Sequence, residues 1–298
     1  MRKLNFITLL FFAVISTYAQ DYFEDFQKYQ QSGDTIKQKE LLKKWKQEKP
    51  NDSELYTSLF NYYFQKSRNE VLLLASGTPP NGQDYLELQD STNKVAGFIS
   101  TQIDYEKSNL KLAFENIDKG IKLYPNRLDM RFGKIYVLGQ IKDWSNFSNE
   151  IIRAVDYSSK NNNEWTWTLN EEKKIGKDAF LGSLQDYQMQ LYDTMDDELL
   201  KNMREIAQTV LKYYPDHVES LSNSSITYLV EKKYEKALVP LKKAEHINPK
   251  DFIVLNNIAY CYKEMQNKKL AIEYYEKVIK YGDQRAIEQA KDEIEKLK

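Results

Sequence analysis

The sequence predicts an all-α protein in which pairs of helices repeat and stack, and three observations support this. Near the C-terminus the chain matches itself at a period of 34 residues, and large, small and aromatic classes recur in register. A fixed period of this length is typical of a repeat architecture. Apolar residues follow helical spacing within each period. A proline also recurs after the predicted second helices, with Pro215 lying 34 residues before Pro249. The matched pairs are Leu221/Leu255, Ser225/Ala259, Tyr228/Tyr262, Ala237/Ala271, Leu241/Tyr275 and Ala244/Val278.

The last two periods each predict a helix, a short turn and a second helix. Residues 251–265 carry one apolar stripe, the polar residues 266–268 interrupt it, and a second stripe ends at Gly282. In the preceding period the helices are predicted at 217–230 and 234–246, and Asn248-Pro249 is a stop signal. The strongly charged segment 285–297 predicts one more helix, which would cap the array.

These periods resemble tetratricopeptide repeats (TPR). The family has a small residue where its two helices cross, an aromatic residue one turn later, an Ala in the second helix and a Pro after it. The matching residues are Ser225 and Ala259, Tyr228 and Tyr262, Ala237 and Ala271, and Pro249. The resemblance implies a TPR-like right-handed α-solenoid of about six helical hairpins over residues 20–298. Its clear repeats are 217–250 and 251–283, and the upstream repeats are degenerate.

The upstream units are predicted from their prolines and stripes. Helices Ile36–Lys49 and Lys111–Leu123 each end before a proline, and helices are also predicted at Glu54–Gln65 and Asp129–Ile141. The unit at 164–214 fits least well, because its first helix is predicted to be long, from about Trp165 to Asp193.

An insertion over residues 70–105 separates the helix Glu54–Gln65 from its predicted partner near residue 107. Residues 77–82 contain glycines and prolines that break any helix. Two β-prone runs, at 85–88 and 95–103, flank a polar turn and predict a β-hairpin. Such an insertion serves either binding or simple packing on the array, and the sequence leaves both open.

Residues 1–19 resemble a secretory signal peptide. Arg2 and Lys3 precede an apolar run from Phe6 to Ile15, which is short for a membrane span, and Ala19 is the predicted cleavage site. We therefore expect an exported protein, periplasmic or secreted, most consistent with a bacterial source. The formal net charge of −1 argues against nucleic-acid partners, since a dedicated surface for them leaves a basic excess.

The sequence offers no catalytic or cofactor-binding motif. Its two histidines, His217 and His246, lie near predicted helix ends, and Cys261 is its single cysteine. Neither a metal site nor a glycine-rich phosphate loop is predicted. We therefore expect a protein that is not an enzyme and needs no cofactor.

The resemblance implies a partner-binding groove, because the first helix of each TPR unit lines the concave surface. Asn223 and Asn257 lie 34 residues apart at equivalent positions there, where an amide can both donate to and accept from a peptide backbone. We expect a protein- or peptide-binding scaffold. A carboxylate-binding version is not expected, because the flanking positions lack several Lys or Arg residues. The predicted groove residues are Asn223, Asn256, Asn257, Tyr260 and Lys263.

An alternative is glycan or small-molecule binding by the insertion and by exposed aromatic residues. Trp165 and Trp167 flank a polar Thr beside an Asn-rich run. Exposed rings can stack on a sugar or grip a peptide, whereas buried rings would fix the start of the next helix. Both roles are open for these two residues.

Overall fold

The computed structural model describes residues 21–77, 84–170 and 176–298. The predicted signal peptide therefore lies outside the described residues. Within these ranges, consecutive α-helices form six hairpins, and a thirteenth helix follows the last hairpin. The predicted TPR-like α-solenoid with a capping helix is confirmed. The helices are α1 (Tyr22–Gln31), α2 (Thr35–Glu48), α3 (Ser53–Ser67), α4 (Lys107–Leu123), α5 (Leu128–Gln140), α6 (Trp144–Ser158), α7 (Lys177–Tyr192), α8 (Leu200–Tyr213), α9 (Val218–Val230), α10 (Tyr234–Ile247), α11 (Phe252–Glu264), α12 (Lys268–Tyr281) and α13 (Gln284–Leu297).

Many helices begin at a side chain that accepts hydrogen bonds from the first backbone N–H groups. Asp34 accepts from the N–H of Lys37, and Asn267 accepts from the N–H of Leu270. An oxygen at this position satisfies an amide that has no partner within the helix. The starts of these capped helices are therefore encoded locally.

The helices cross closely at positions where the sequence has small residues. Ser225, Ala237, Ala259 and Ala271 are all fully buried. The larger members of the same stripes, such as Leu255, fill the core between neighbouring helices. The 34-residue pattern therefore corresponds to the packing of α9–α12.

The insertion forms a three-stranded antiparallel sheet. Its strands are β1 (Arg68–Ala75), β2 (Tyr85–Gln89) and β3 (Val95–Tyr105), in the order β1-β3-β2. The predicted hairpin is the β2–β3 pair. The sequence did not predict β1, which begins directly after α3 and pairs with β3 from Arg68↔Tyr105 to Ala75↔Phe98. The sheet thus extends from the α3–α4 hairpin.

The predicted long helix from Trp165 to Asp193 is wrong in its first part, because α7 begins only at Lys177. Residues 164–170, which we call the strap, run back toward earlier units. The Thr166 N–H donates to the Asn126 carbonyl (2.9 Å), and the Leu128 N–H donates to the Thr166 carbonyl (3.0 Å). The Leu169 N–H donates to Glu54 Oε1 (2.8 Å). These partners lie far away in sequence, so helical periodicity could not reveal them.

Among the helices of the described ranges, none is both long enough and apolar enough to cross a bilayer.

Candidate functional site

The candidate site is an open cavity of about 580 Å³ near the C-terminal end of the array. It lies between the first helices α9 and α11 and the capping helix α13, with single contributions from α7 and α12. Four of the five predicted groove residues lie on its wall, namely those from α11. The lining residues are Tyr192, Ile226, Leu229, Val230, Asn256, Asn257, Tyr260, Lys263, Tyr275, Gln289, Asp292, Glu293 and Lys296.

Asn256 and Asn257 present two adjacent amides to this cavity. Both side chains are half-buried. Across the described ranges, neither side chain makes a hydrogen bond with another part of the protein. Each amide can donate two hydrogen bonds and accept two. Their hydrogen-bonding capacity is therefore available to a ligand.

Tyr260 and Lys263 follow one and two turns later on the same helix. Lys263 Nζ lies 5.0 Å from the centre of the Tyr260 ring and 2.9 Å from Glu293 Oε2 on α13. Hydrogen bonds from Lys296 and Lys263 hold the pKa of Glu293 below its usual value. The ammonium group of Lys263 is therefore already paired with Glu293 at neutral pH, and the Tyr260 ring lies beside it.

The charges on the cavity wall balance. Lys263 and Lys296 oppose Asp292 and Glu293. A ligand held here gains little from net charge, and amides, an aromatic ring and aliphatic side chains remain as the recognition groups. This set suits an extended peptide backbone with apolar side chains.

The structure places Asn223 away from this open wall. Its side chain is only 2% exposed, and its Nδ2 donates to Gln185 Oε1 (2.5 Å) while its Oδ1 accepts from Gln185 Nε2 (3.3 Å). The expectation that Asn223 is exposed in the groove like Asn257 is therefore wrong. A glutamine on α7 satisfies the amide, and nothing in the local sequence of α9 signals this partner.

Trp165 is buried rather than exposed. It is 2% exposed and lies between the rings of Tyr157 (5.8 Å) and Phe180 (5.3 Å). Trp167 is half-buried with its ring 6.3 Å from that of Phe132. Of the two open roles, the structure therefore favours buried packing at the strap, and Trp165 cannot offer a sugar-stacking surface.

Sequence reasoning missed the lining residues of α7, α9 and α12 and the whole wall from α13, which includes Gln289, Asp292 and Lys296. The charged pattern of 285–297 predicted a capping helix, and the same pattern could have indicated that this helix contributes to the groove wall. A terminal helix that packs on α12 also has a free polar face, and here that face closes one side of the groove.

Cys261 is unsuited to nucleophilic chemistry. Its side chain is fully buried, and burial raises the pKa of its thiol to about 12. A thiolate, which is the reactive form, is then scarce at neutral pH. Within the described ranges, no group of three or more His, Cys, Asp or Glu side chains could hold a metal ion.

No protein-family model matches the chain, and no curated protein matches it. Solved TPR structures are similar to it at low identity. The Sgt2 TPR domain from Aspergillus fumigatus is 23% identical, with 38% of this chain and 80% of that chain covered and a TM-score of 0.32. YrrB, described as a TPR protein with an unusual peptide-binding site, is 15% identical, with 62% and 85% covered and a TM-score of 0.40. PilF of Pseudomonas aeruginosa is 13% identical, with 93% and 86% covered and a TM-score of 0.32. At these scores, the fold assignment rests on the chain's own helix pairing.

Proposed function

We propose that the protein is a non-enzymatic scaffold that binds an extended segment of a partner protein in the cavity between α9, α11 and α13. The observation that carries this proposal is the pair of half-buried amides of Asn256 and Asn257, which lack partners within the described ranges. A half-buried polar group gains most from a ligand that completes its hydrogen bonds.

The mechanism is preorganised shape. The α11 backbone is fixed by fully buried neighbours, including Leu255, Ile258 and Ala259. The two amides therefore keep their spacing before the ligand arrives, and little conformational entropy is lost on binding. A bound backbone would lie beside the Tyr260 ring, which lends apolar contact area. The predicted export of the protein would place this scaffold outside the cytoplasm.

The test is a screen of immobilised random peptides of about ten residues, an extended length of about 33 Å. We expect the wild-type protein to capture a subset with apolar side chains, and we expect the double variant Asn256→Ala/Asn257→Ala to bind these about tenfold or more weakly. Each lost hydrogen bond contributes about 1 kcal/mol. The measurement is the Kd by fluorescence anisotropy for the selected peptides.

The matched control is Asn116→Ala on α4, since the Asn116 amide is exposed and bonds only to the Leu112 carbonyl of its own helix. That variant should bind as the wild type does. Equal affinity of the double variant for every selected peptide would place the binding surface elsewhere.

A further inference from the structure

The three-stranded sheet concentrates the exposed apolar side chains of the molecule. Of the 21 large hydrophobic residues exposed in the described ranges, eight lie in its three strands. A contiguous patch of this kind on a folded protein usually marks an interaction surface. The eight residues are Val71, Leu72, Leu73, Leu74, Tyr85, Leu86, Leu88 and Val95.

The strand register gathers most of the leucines on one face. Leu74 and Leu86 both lie opposite Ile99, from the two sides of the central strand β3. Residues directly opposite each other in an antiparallel pair share a face, and every second residue returns to it. We call this the leucine face. It consists of Leu72, Leu74, Leu86, Leu88, Ile99 and Ile103.

The two faces of the sheet differ in burial. On the opposite face Phe98 and Ser100 are 4% and 3% exposed, and the Tyr85 ring lies 5.9 Å from that of Phe98. On the leucine face, Leu72, Leu74 and Leu86 are 75%, 71% and 70% exposed. On the outer strands of the opposite face, Val71, Leu73 and Tyr85 are 47%, 40% and 42% exposed, so the leucine face is the more exposed of the two.

The size of the leucine face matches one α-helix. The outer strands β1 and β2 lie two strand spacings apart, which is about 10 Å. An α-helix with its side chains is about 10–12 Å wide. Covering a sheet with a helix is a common way to bury an apolar face. An amphipathic helix laid over β3 would therefore cover the leucines of both outer strands.

The negative charge of the insertion restricts which kind of helix could bind to the leucine face. Residues 68–105, which contain the three strands, have five acidic residues and two basic residues, Arg68 and Lys94, so this segment has a net charge of −3 while the whole chain has −1. A second copy of the sheet would bring the same negative charge, and an anionic lipid surface would also be repelled. A helix with Lys and Arg beside its apolar stripe would be attracted. The acidic residues are Glu70, Asp84, Glu87, Asp90 and Asp104.

We propose that the leucine face docks an amphipathic helix of a partner protein whose apolar stripe is flanked by Lys and Arg. This surface is separate from the α9–α11–α13 cavity and goes beyond the peptide binding proposed there.

The probe is a synthetic helical peptide of about 18 residues with leucines at i, i+3, i+4 and i+7 spacing, flanked by lysines and carrying a fluorophore. A second peptide has glutamate in place of every lysine. Anisotropy titrations use the wild-type protein, the variant Leu72→Thr/Leu74→Thr/Leu86→Thr, and Val239→Thr as a control. Thr favours strands, so the sheet should persist in the triple variant, and circular dichroism checks this. Val239 is 72% exposed on α10 and thus matches the mutated leucines in exposure.

We expect the lysine peptide to bind wild type and Val239→Thr equally, and the triple variant about tenfold or more weakly. Binding should weaken as salt rises from about 0.05 M to about 0.3 M, because the attraction is screened. The variant Asn256→Ala/Asn257→Ala should bind this peptide unchanged, which separates the test from that of the cavity.

Several results would overturn the proposal. These are no binding of the lysine peptide, equal binding of both peptides, or unchanged binding by a folded triple variant. If wild type sediments as a dimer and the triple variant as a monomer, the leucine face would be assigned to contact with a second copy of this chain. Flotation of wild type but not of the triple variant with phosphatidylcholine vesicles would assign it to lipid.

Discussion

Single residues in this protein illustrate how burial changes chemistry, and His217 is a clear case. It occupies the residue position just before α9, with Nδ1 2.8 Å from Ser220 Oγ and Nε2 3.1 Å from Glu219 Oε2. Burial lowers the pKa of His217, aided by the charge of Lys177 and opposed by Glu219 and Asp178. The folded protein therefore favours the neutral imidazole.

We predict that His217 makes the protein less stable in mild acid. Because its folded pKa lies below its unfolded value of about 6.5, the unfolded chain takes up the proton first. The stabilisation is complete above the unfolded pKa and is lost as pH falls through the folded pKa. Urea unfolding from pH 7.5 to pH 5 should show a shallower loss of the free energy of unfolding in His217→Asn, since Asn is favoured at this position and does not titrate. A slope in His217→Asn identical to that of wild type would disprove the assignment.

At the scale of elements, close helix crossings depend on the absence of a side chain. Gly120 on α4 is buried, and a Cβ added there would lie 2.8 Å from the Tyr56 Cβ on α3 and 3.0 Å from the Met130 Sδ on α5. Gly182 on α7 has no atom within 4 Å of an added Cβ. The two glycines occur in similar helices and differ in their surroundings.

We predict opposite effects of the same substitution at these two sites. Gly120→Ala should destabilise the protein by about 1–3 kcal/mol, because α3 or α5 must move. Gly182→Ala should stabilise it by about 0.5–1 kcal/mol, because alanine favours the helix. Chemical denaturation measures both values. Stabilisation of similar size at both sites would mean that helix propensity, not the distance between crossing helices, decides the outcome.

The elements show what the sequence could predict. The 34-residue spacing predicted the small buried residues of α9–α12, because each unit repeats the same nearest-neighbour packing. Strand β1 was not predicted, since Val71-Leu72-Leu73-Leu74 lacks the alternation of a half-buried strand. Both faces of β1 carry apolar side chains, and its strand conformation depends on pairing with β3 about 30 residues later. The TPR resemblance predicted groove residues on α11, and these line the candidate cavity, whereas the burial of Asn223 depends on Gln185, 38 residues away.

At the scale of the whole molecule, the strap joins units that are not neighbours. Glu54, at the start of α3 in the second hairpin, accepts the Leu169 N–H, which precedes the fourth hairpin. Arg127 is 1% exposed and donates to both Glu54 and Asp129. Burial alone would lower the pKa of Arg127, but the hydrogen bonds and charges of Asp129 and Glu54 raise it. In an ordinary solenoid each unit contacts only its neighbours.

We predict that Glu54→Ala destabilises several units together. Removing one partner of a buried ion pair costs about 3–5 kcal/mol. Native-state hydrogen exchange should accelerate at the strap and throughout α3 and α5, while α11–α13 stay protected. Lys111→Ala is the matched control, because the Lys111–Glu115 pair is exposed and contributes little. Faster exchange confined to the first turn of α3 would show that the strap does not couple these units.

The strap also bears on how a chain like this can grow or shrink. Unequal recombination adds or removes one repeat at a time, and near the C-terminus a duplicate of residues 218–251 could be spliced in before α11 without moving Glu54 relative to Leu169. The copy of Asn223 would lack Gln185 as its partner, so that position would need a different side chain. Between α3 and the strap this freedom is lost, because an added unit would move Glu54 away from Leu169 by the width of a whole hairpin. The third hairpin therefore cannot be duplicated or removed, whereas the number of C-terminal hairpins can change. Attempts to lengthen the groove by design should begin with the C-terminal hairpins.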